Sequence, residues 1–188
     1  MAETEFHPVT ADRWLDVETL FGKNGACAGC WCMWWRIKRS QFEKQKGEGN
    51  RKALKALVKH NSVPGILAYV DGKPVGWVCV GPRDDFPVLD NSRLFKRLDE
   101  EPVWSIVCFF VARPHRRSGM TRKLIDAAGK YARQKGARIL EAYPVEPKKK
   151  NMPDLFAYTG FSSAFRKAGF QEMIRRSETR PMMRKKLR

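Results

Sequence analysis

No apolar run in the sequence approaches the ~20 residues that a membrane-crossing helix needs. The first residues, MAETEFHPV, lack the basic-then-apolar layout of a secretory signal. The two absences together predict a cytoplasmic protein with no membrane partner. Histidine is scarce: His7, His60 and His115 stand apart, so no second histidine sits at metal-site spacing and no thiol has a histidine neighbour to activate it. Cysteines number five, an odd count that argues, without a secretory signal, against a disulfide framework. They are expected to be reduced. No internal repeat or low-complexity linker is present, which excludes solenoids and tethered arrays.

What is present fits one domain with a sizeable core. The 188 residues are 43% apolar and include eleven Phe and six Trp, enough to bury a core rather than stay disordered. Thirty-seven Lys and Arg oppose only 20 Asp and Glu, a formal net charge of +17. Such a surface concentrates polyanions, whether nucleic acid, anionic membrane or a phosphorylated cofactor. The basic residues are spread along the chain, only Arg175 to Arg188 forms a dense tail, and no helix-turn-helix, zinc-finger or RNA-binding signature appears. Solubility explains the charge better than specific nucleic-acid binding does.

Residue periodicity divides the chain at about residue 63. Before it, Thr10 is placed to cap a helix whose Trp14, Val17, Leu20 and Phe21 share one face, with Gly22 as the stop. The segment GACAGCWCMWWR follows, then a polar stretch from Ser40 to Asn50 and a short helix over Arg51 to His60. After it the period becomes that of strands. GILAYV and KPVGWVCVG flank Asp71-Gly72 and read as a β-hairpin with a tight turn. A long connection from Pro82 to Pro102 precedes a strand near Ser105 to Ala112, a helix from Met120 to Lys135 and a strand over Arg138 to Tyr143. Strand, helix, strand implies a parallel crossover. A loop from Pro144 to Pro153, a short helix ending near Gly169 and two closing strands complete the order.

The most informative stretch is WSIVCFFVA, the turn RPHRRSGMT and the amphipathic helix after it. A cationic, glycine-bearing turn between a strand and a helix start aims several backbone N–H groups, and the positive end of the helix dipole, at one spot. That spot should bind an anion. Near the N-terminus, Cys27, Cys30 and Cys32 of CAGCWC invite a zinc reading, because Cys-x-x-Cys is a common half-site. A fourth ligand is missing, since Cys79 and Cys108 fall in expected buried strands, so no metal is expected.

Arg116, Gly119 and Thr121 fall on the three positions of a phosphate loop that resembles that of the GNAT superfamily of acetyl-CoA-dependent N-acyltransferases. FRKAGF, Phe165 to Phe170, is similar to that family's closing helix and its Gly-Phe entry into the next strand. Thr121 departs from the usual Gly or Ala. The resemblance runs from about Gly65 to the C-terminus and implies an α/β (α+β) fold: a mixed, mostly antiparallel central sheet flanked by helices, with a splayed parallel strand pair binding coenzyme A. Residues 1–188 would form one domain, with 1–63 walling the acceptor and 64–188 carrying the sheet and the coenzyme site.

The same resemblance implies acetyl-CoA as co-substrate. The N–H groups of Arg117, Ser118, Gly119, Met120 and Thr121 would cradle its diphosphate, Arg116, Arg117 and Arg122 would add charge, and the backbone of Phe110 and Val111 would pair with the pantetheine. Direct transfer of the acetyl group to a primary amine of a small molecule or protein needs the amine neutral and the departing thiolate protonated. The family's usual tyrosine acid falls here on Phe165, which has no proton to give. Tyr158 is then the candidate acid and Glu141 the candidate base, directly or through water, with Asp84, Asp85 and Glu146 weaker; positioning alone is another route. The aromatic segment near Trp31, Trp34 and Trp35 suits an apolar or cationic acceptor. A non-catalytic acyl-CoA sensor or scaffold is the alternative, with a basic nucleic-acid-binding module behind it, and the chain is expected as a monomer or homodimer.

Overall fold

The computed structural model describes residues 3–60, 62–148 and 154–188. The expected loop over Pro144 to Pro153 therefore lies partly outside the described residues. One strand is not expected from the sequence: β1 (Thr4–Pro8) holds a histidine, ends in proline and pairs on one side only, antiparallel to β2 (Gly65–Val70). β2 turns at Asp71-Gly72, both with positive φ, into β3 (Lys73–Pro82), the hairpin read from the sequence. β4 (Trp104–Val111) lies antiparallel to β3 and parallel to β5 (Ile139–Ala142), while β6 (Gln171–Arg175) and β7 (Pro181–Lys186) close the chain. Among the described residues, seven strands run β1-β2-β3-β4-β5-β7-β6, with β4-β5 the parallel pair among antiparallel neighbours.

Helices cover both faces. α1 (Trp14–Phe21) ends at Gly22 as expected, but a 3-10 turn, Ala11–Arg13, precedes it and the Thr10 hydroxyl donates to the Asp12 carboxylate at 2.5 Å instead of capping the helix. The polar stretch before Arg51 is more helical than its composition suggests, forming α2 (Arg39–Lys44) and the start of α3 (Glu48–Lys59). These helices and the 22–38 segment pack on one face through Val17, Phe21, Trp31, Trp35 and Leu54. The other face carries α4 (Met120–Gln134) and α5 (Ser162–Lys167). α4 buries Met120, Leu124, Ile125, Ala128 and Ala132, a helical stripe in which each large side chain contributes about 1.5–3 kcal/mol of apolar burial.

A bulge in β4 decides where the two faces meet the site. Cys79 pairs with Cys108 but Val80 pairs with Ile106, leaving Val107 as an extra residue. Ile106 and Phe109, three apart, consequently pack on the same helix-α4 face, while Val107 and Phe110 turn to the other. The bulge also bends β4 away from β5: their pairing covers only Trp104–Ile106 against Leu140–Ala142. Beyond it the two strands diverge.

Candidate active site

Strand chemistry identifies which groups line that divergence. Ala112 donates its N–H to Val75 of β3 at 2.9 Å, and N–H direction alternates along a strand, so Val111 and Phe109 point theirs away from β3 into the gap. Phe110, expected with Val111 beside the pantetheine, turns its N–H and C=O toward β3, and Phe109 shares the open edge with Val111. The Phe110 ring instead packs against Phe21 at 5.8 Å.

At the far end of β4 the chain makes a 3-10 turn, Arg113–His115, and then the turn into α4. Arg117 and Gly119 take positive φ, 61° and 81°, in the left-handed region, and Gly119 is the residue before the helix. Ser118 anchors the turn by donating its hydroxyl to the His115 carbonyl at 2.7 Å. Among the described residues nothing accepts the N–H groups of residues 117–121, and nothing lies within 4 Å of the position a Gly119 Cβ would take. Residues 117–119 are exposed. The result is an open nest of donors at the positive end of a 15-residue helix, built to meet an anion. Arg116 turns inward, its Nε donating to the Val111 carbonyl at 2.8 Å, and Arg122 pairs with Asp126 at 3.0 Å.

The segment before α5 enters the gap between β4 and the continuation of β5. Phe109 donates to the Tyr158 carbonyl at 2.6 Å, and Val145 donates to Gly160 at 2.8 Å. Tyr158 itself is half-buried against the aromatic face, and burial pushes its hydroxyl up to about 12, so it is protonated at neutral pH. Phe165, at the position where the resembled family has its acid, is fully buried between Phe109 and Phe170, with ring centroids 6.0 and 5.0 Å away. It is a core residue.

Glu141 is enclosed as well. Its Oε1 accepts from Arg83 at 2.8 Å and from the Tyr143 hydroxyl at 2.5 Å, and its Oε2 from Arg184 at 2.7 Å. Arg83 also donates to Asp90 at 2.6 Å and to the Phe95 carbonyl at 2.8 Å. The Tyr143 hydroxyl lies 2.8 Å from Ser105 Oγ on β4, and burial, then the Glu141 charge, holds it well above the usual tyrosine range. A fully buried carboxylate so bonded does not meet an amine directly. Arg83 and Tyr143 were not legible as site residues. The i, i+2 spacing of Glu141 and Tyr143 places both on one face, but nothing near Arg83 in sequence points to them. Asp84 and Asp85 lie outside this network, bonded to Arg97 and Arg36, and Glu146 is held by Arg166 and Arg175.

The cysteines divide differently from their order in the chain. Cys27 is exposed, whereas Cys32 is buried, accepts the Trp77 indole N–H at 3.1 Å and lies in the same apolar cluster as Cys79 and Cys108, which are register partners across β3 and β4. Contact with Cys108 first, and burial, keep the Cys32 thiol well above its usual range, so the group stays protonated. Among the described residues no group of three or more His, Cys, Asp or Glu is arranged to hold a metal ion, and no helix is long and apolar enough to cross a membrane.

Comparison with known proteins agrees with this architecture. The model of the acetyltransferase (GNAT) family matches residues 31–161. Among solved structures, the chain is similar to a GNAT-family acetyltransferase from Listeria monocytogenes, with a TM-score of 0.60 and 11% identity over 98% of this chain and 95% of that one. It is similar to one from Streptococcus pneumoniae, with a TM-score of 0.55 and 12% identity over 99% and 100%. It is also similar to the PaiA N-acetyltransferase of Thermoplasma acidophilum in complex with coenzyme A, with a TM-score of 0.53 and 13% identity over 98% and 99%. At these identities the likeness is one of fold. No curated protein matches the sequence.

Proposed function

Since the chain belongs to the acetyltransferase (GNAT) family, we propose that it moves an acetyl group from acetyl-CoA directly to a primary amine. The observation that carries this reading is the open nest of N–H groups at residues 117–121, set beside the splayed edge of β4. A pyrophosphate at the nest would meet five donors and the helix dipole, with Arg117 adding charge. The pantetheine would then run along the Phe109–Val111 edge toward the bulge, as a strand does, bringing the thioester toward the face that carries Tyr158.

In the reaction the amine nitrogen attacks the thioester carbonyl carbon, the C–N bond forms, the C–S bond breaks and the amine loses a proton. Tyr158, protonated at neutral pH, is the candidate donor to the departing thiolate. Glu141 is the candidate sink for the amine proton, reached through the Ser105 and Tyr143 hydroxyls rather than by contact. Holding the amine against the thioester supplies the rest of the rate enhancement. The aromatic segment supports an apolar or cationic acceptor less directly than its sequence suggests, since Trp35 is buried in the core and the Arg39 guanidinium already lies 4.2 Å over the Trp34 ring.

A second reading, an acyl-CoA-binding protein without turnover, is favoured by one observation: Phe165 occupies the usual acid position and is buried in the core. Calorimetric titration with acetyl-CoA, repeated at higher salt to remove nonspecific charge effects, tests the coenzyme site. Saturable one-to-one binding is expected. Salt-sensitive association alone would overturn the coenzyme reading. Release of free thiol in a panel of primary amines separates the two readings, since binding without turnover in any amine supports the second.

A further inference from the structure

The segment that enters the splay does more than fill it. Phe109 on the β4 lip donates to the Tyr158 carbonyl at 2.6 Å. On the opposite lip, Val145 donates to Gly160 at 2.8 Å, Ser162 donates back to Val145 at 3.0 Å, and Val145 and Phe161 form a parallel bridge. Residues 158–162 thus join the two lips by main-chain hydrogen bonds, as a short extra strand would. Gly160 makes the fit possible. Its φ is 81°, and a Cβ there would stand 2.9 Å from a Phe165 ring carbon and 3.1 Å from a Phe109 ring carbon.

We propose that this segment is a strap over the acyl end of the coenzyme cleft, and that coenzyme binding displaces the Tyr158 carbonyl from the Phe109 N–H. The proposal rests on the coenzyme reading above, in which the pantetheine pairs with the same edge of β4. One N–H cannot serve two strand partners at full strength, so strap and coenzyme exclude each other at Phe109. The lips differ in how firmly they hold. Among the described residues the β5 side keeps two main-chain hydrogen bonds, Val145 to Gly160 and Ser162 to Val145, while the β4 side keeps one, at Tyr158, with Gly160 lying close to the Phe109 and Phe165 rings. The strap therefore releases at Tyr158 and pivots near Gly160. Release also re-aims the Tyr158 side chain, so arrival of the coenzyme and placement of the candidate acid become one event. A strap open in about one molecule in ten would lower the apparent coenzyme affinity about tenfold relative to an open cleft.

The test is nuclear magnetic resonance on the labelled full chain with coenzyme A as the probe. The scalar coupling transmitted through the hydrogen bond from the Phe109 amide nitrogen to the Tyr158 carbonyl carbon is expected in the free protein and lost at saturation. Persistence of that coupling in a protein saturated with coenzyme A would overturn the strap. Failure of coenzyme A to bind at all would instead overturn the coenzyme reading and the strap with it. A second measurement uses Gly160→Ala, whose methyl group forces the strap off Phe109. In stopped-flow mixing the wild type should show a rate that levels off with coenzyme concentration, and the variant a faster, linear one; a linear dependence for the wild type counts against the proposal.

Discussion

Arg83 and Glu141 meet at 2.8 Å with side-chain exposures of 2% and 0%, a closed ion pair between a loop turn and β5. Because both charges are out of water, removing Arg83 leaves Glu141 with Arg184 and the Tyr143 hydroxyl alone to compensate a fully buried charge. Arg83→Met is expected to destabilise the fold by about 3–5 kcal/mol, read from urea unfolding midpoints. The double variant Arg83→Met, Glu141→Leu should recover part of that loss. A single variant as stable as the wild type would show that the pair does not hold the loop to the sheet.

The acid limb of stability should report Glu146. Hydrogen bonds from Arg166 and then Arg175 hold its carboxyl down to about 2, against an ordinary value of 4.5. A depressed carboxyl contributes stability that is complete above 4.5 and disappears as pH falls toward 2. The Glu146 side chain is a third exposed, so screening limits the effect to about 1 kcal/mol. Glu146→Gln should flatten stability between pH 5 and 2.5 relative to wild type, measured by denaturant titration at each pH. Parallel curves for the two proteins would assign the acid limb to other carboxylates.

Gly119→Val tests the nest. A β-branched residue is strained at a φ of 81° and its side chain shields the neighbouring N–H groups, although the space around it is open. Acetyl-CoA affinity is expected to fall about tenfold or more with the circular dichroism spectrum unchanged. Equal affinity would move the phosphate site elsewhere.

Tyr158→Phe removes the hydroxyl and keeps the ring. Loss of a general acid predicts a turnover drop of about 10²- to 10⁴-fold with coenzyme affinity retained, followed by thiol release in an accepted amine. Since burial raises this hydroxyl to about 12, its deprotonation should not limit the rate of the wild type below about pH 10. A Tyr158→Phe enzyme with full turnover would leave catalysis to positioning.

The hairpin at Asp71-Gly72, the helix from Met120 and the order of the last four strands and helices are legible because each follows from residues a few positions apart. β1 is not, since a five-residue edge strand carries little periodic signal. The first turn of α3 is hidden by its polar composition, which tertiary packing overrides through a fully buried Asn50 that donates to the Gly29 carbonyl at 3.0 Å. Which edge Phe110 and Phe109 present is not legible either, because it depends on the neighbouring strand's register, which the β4 residues alone do not encode.

By itself the sequence determined the anion nest: glycine at a left-handed position before an amphipathic helix, directly after an apolar strand, is a local arrangement that residues 104–134 carry within themselves. Only the tertiary structure decided that Cys32 leaves its neighbours to join Cys79 and Cys108, that Arg83 closes on Glu141, and that the Tyr158 carbonyl lies across the open edge of β4. Arg83 and Glu141 are 58 positions apart, and Trp77 and Cys32 45. Contacts of that range are selected by which faces the whole sheet buries and by the bulge that splays it, and those are properties of the assembled chain.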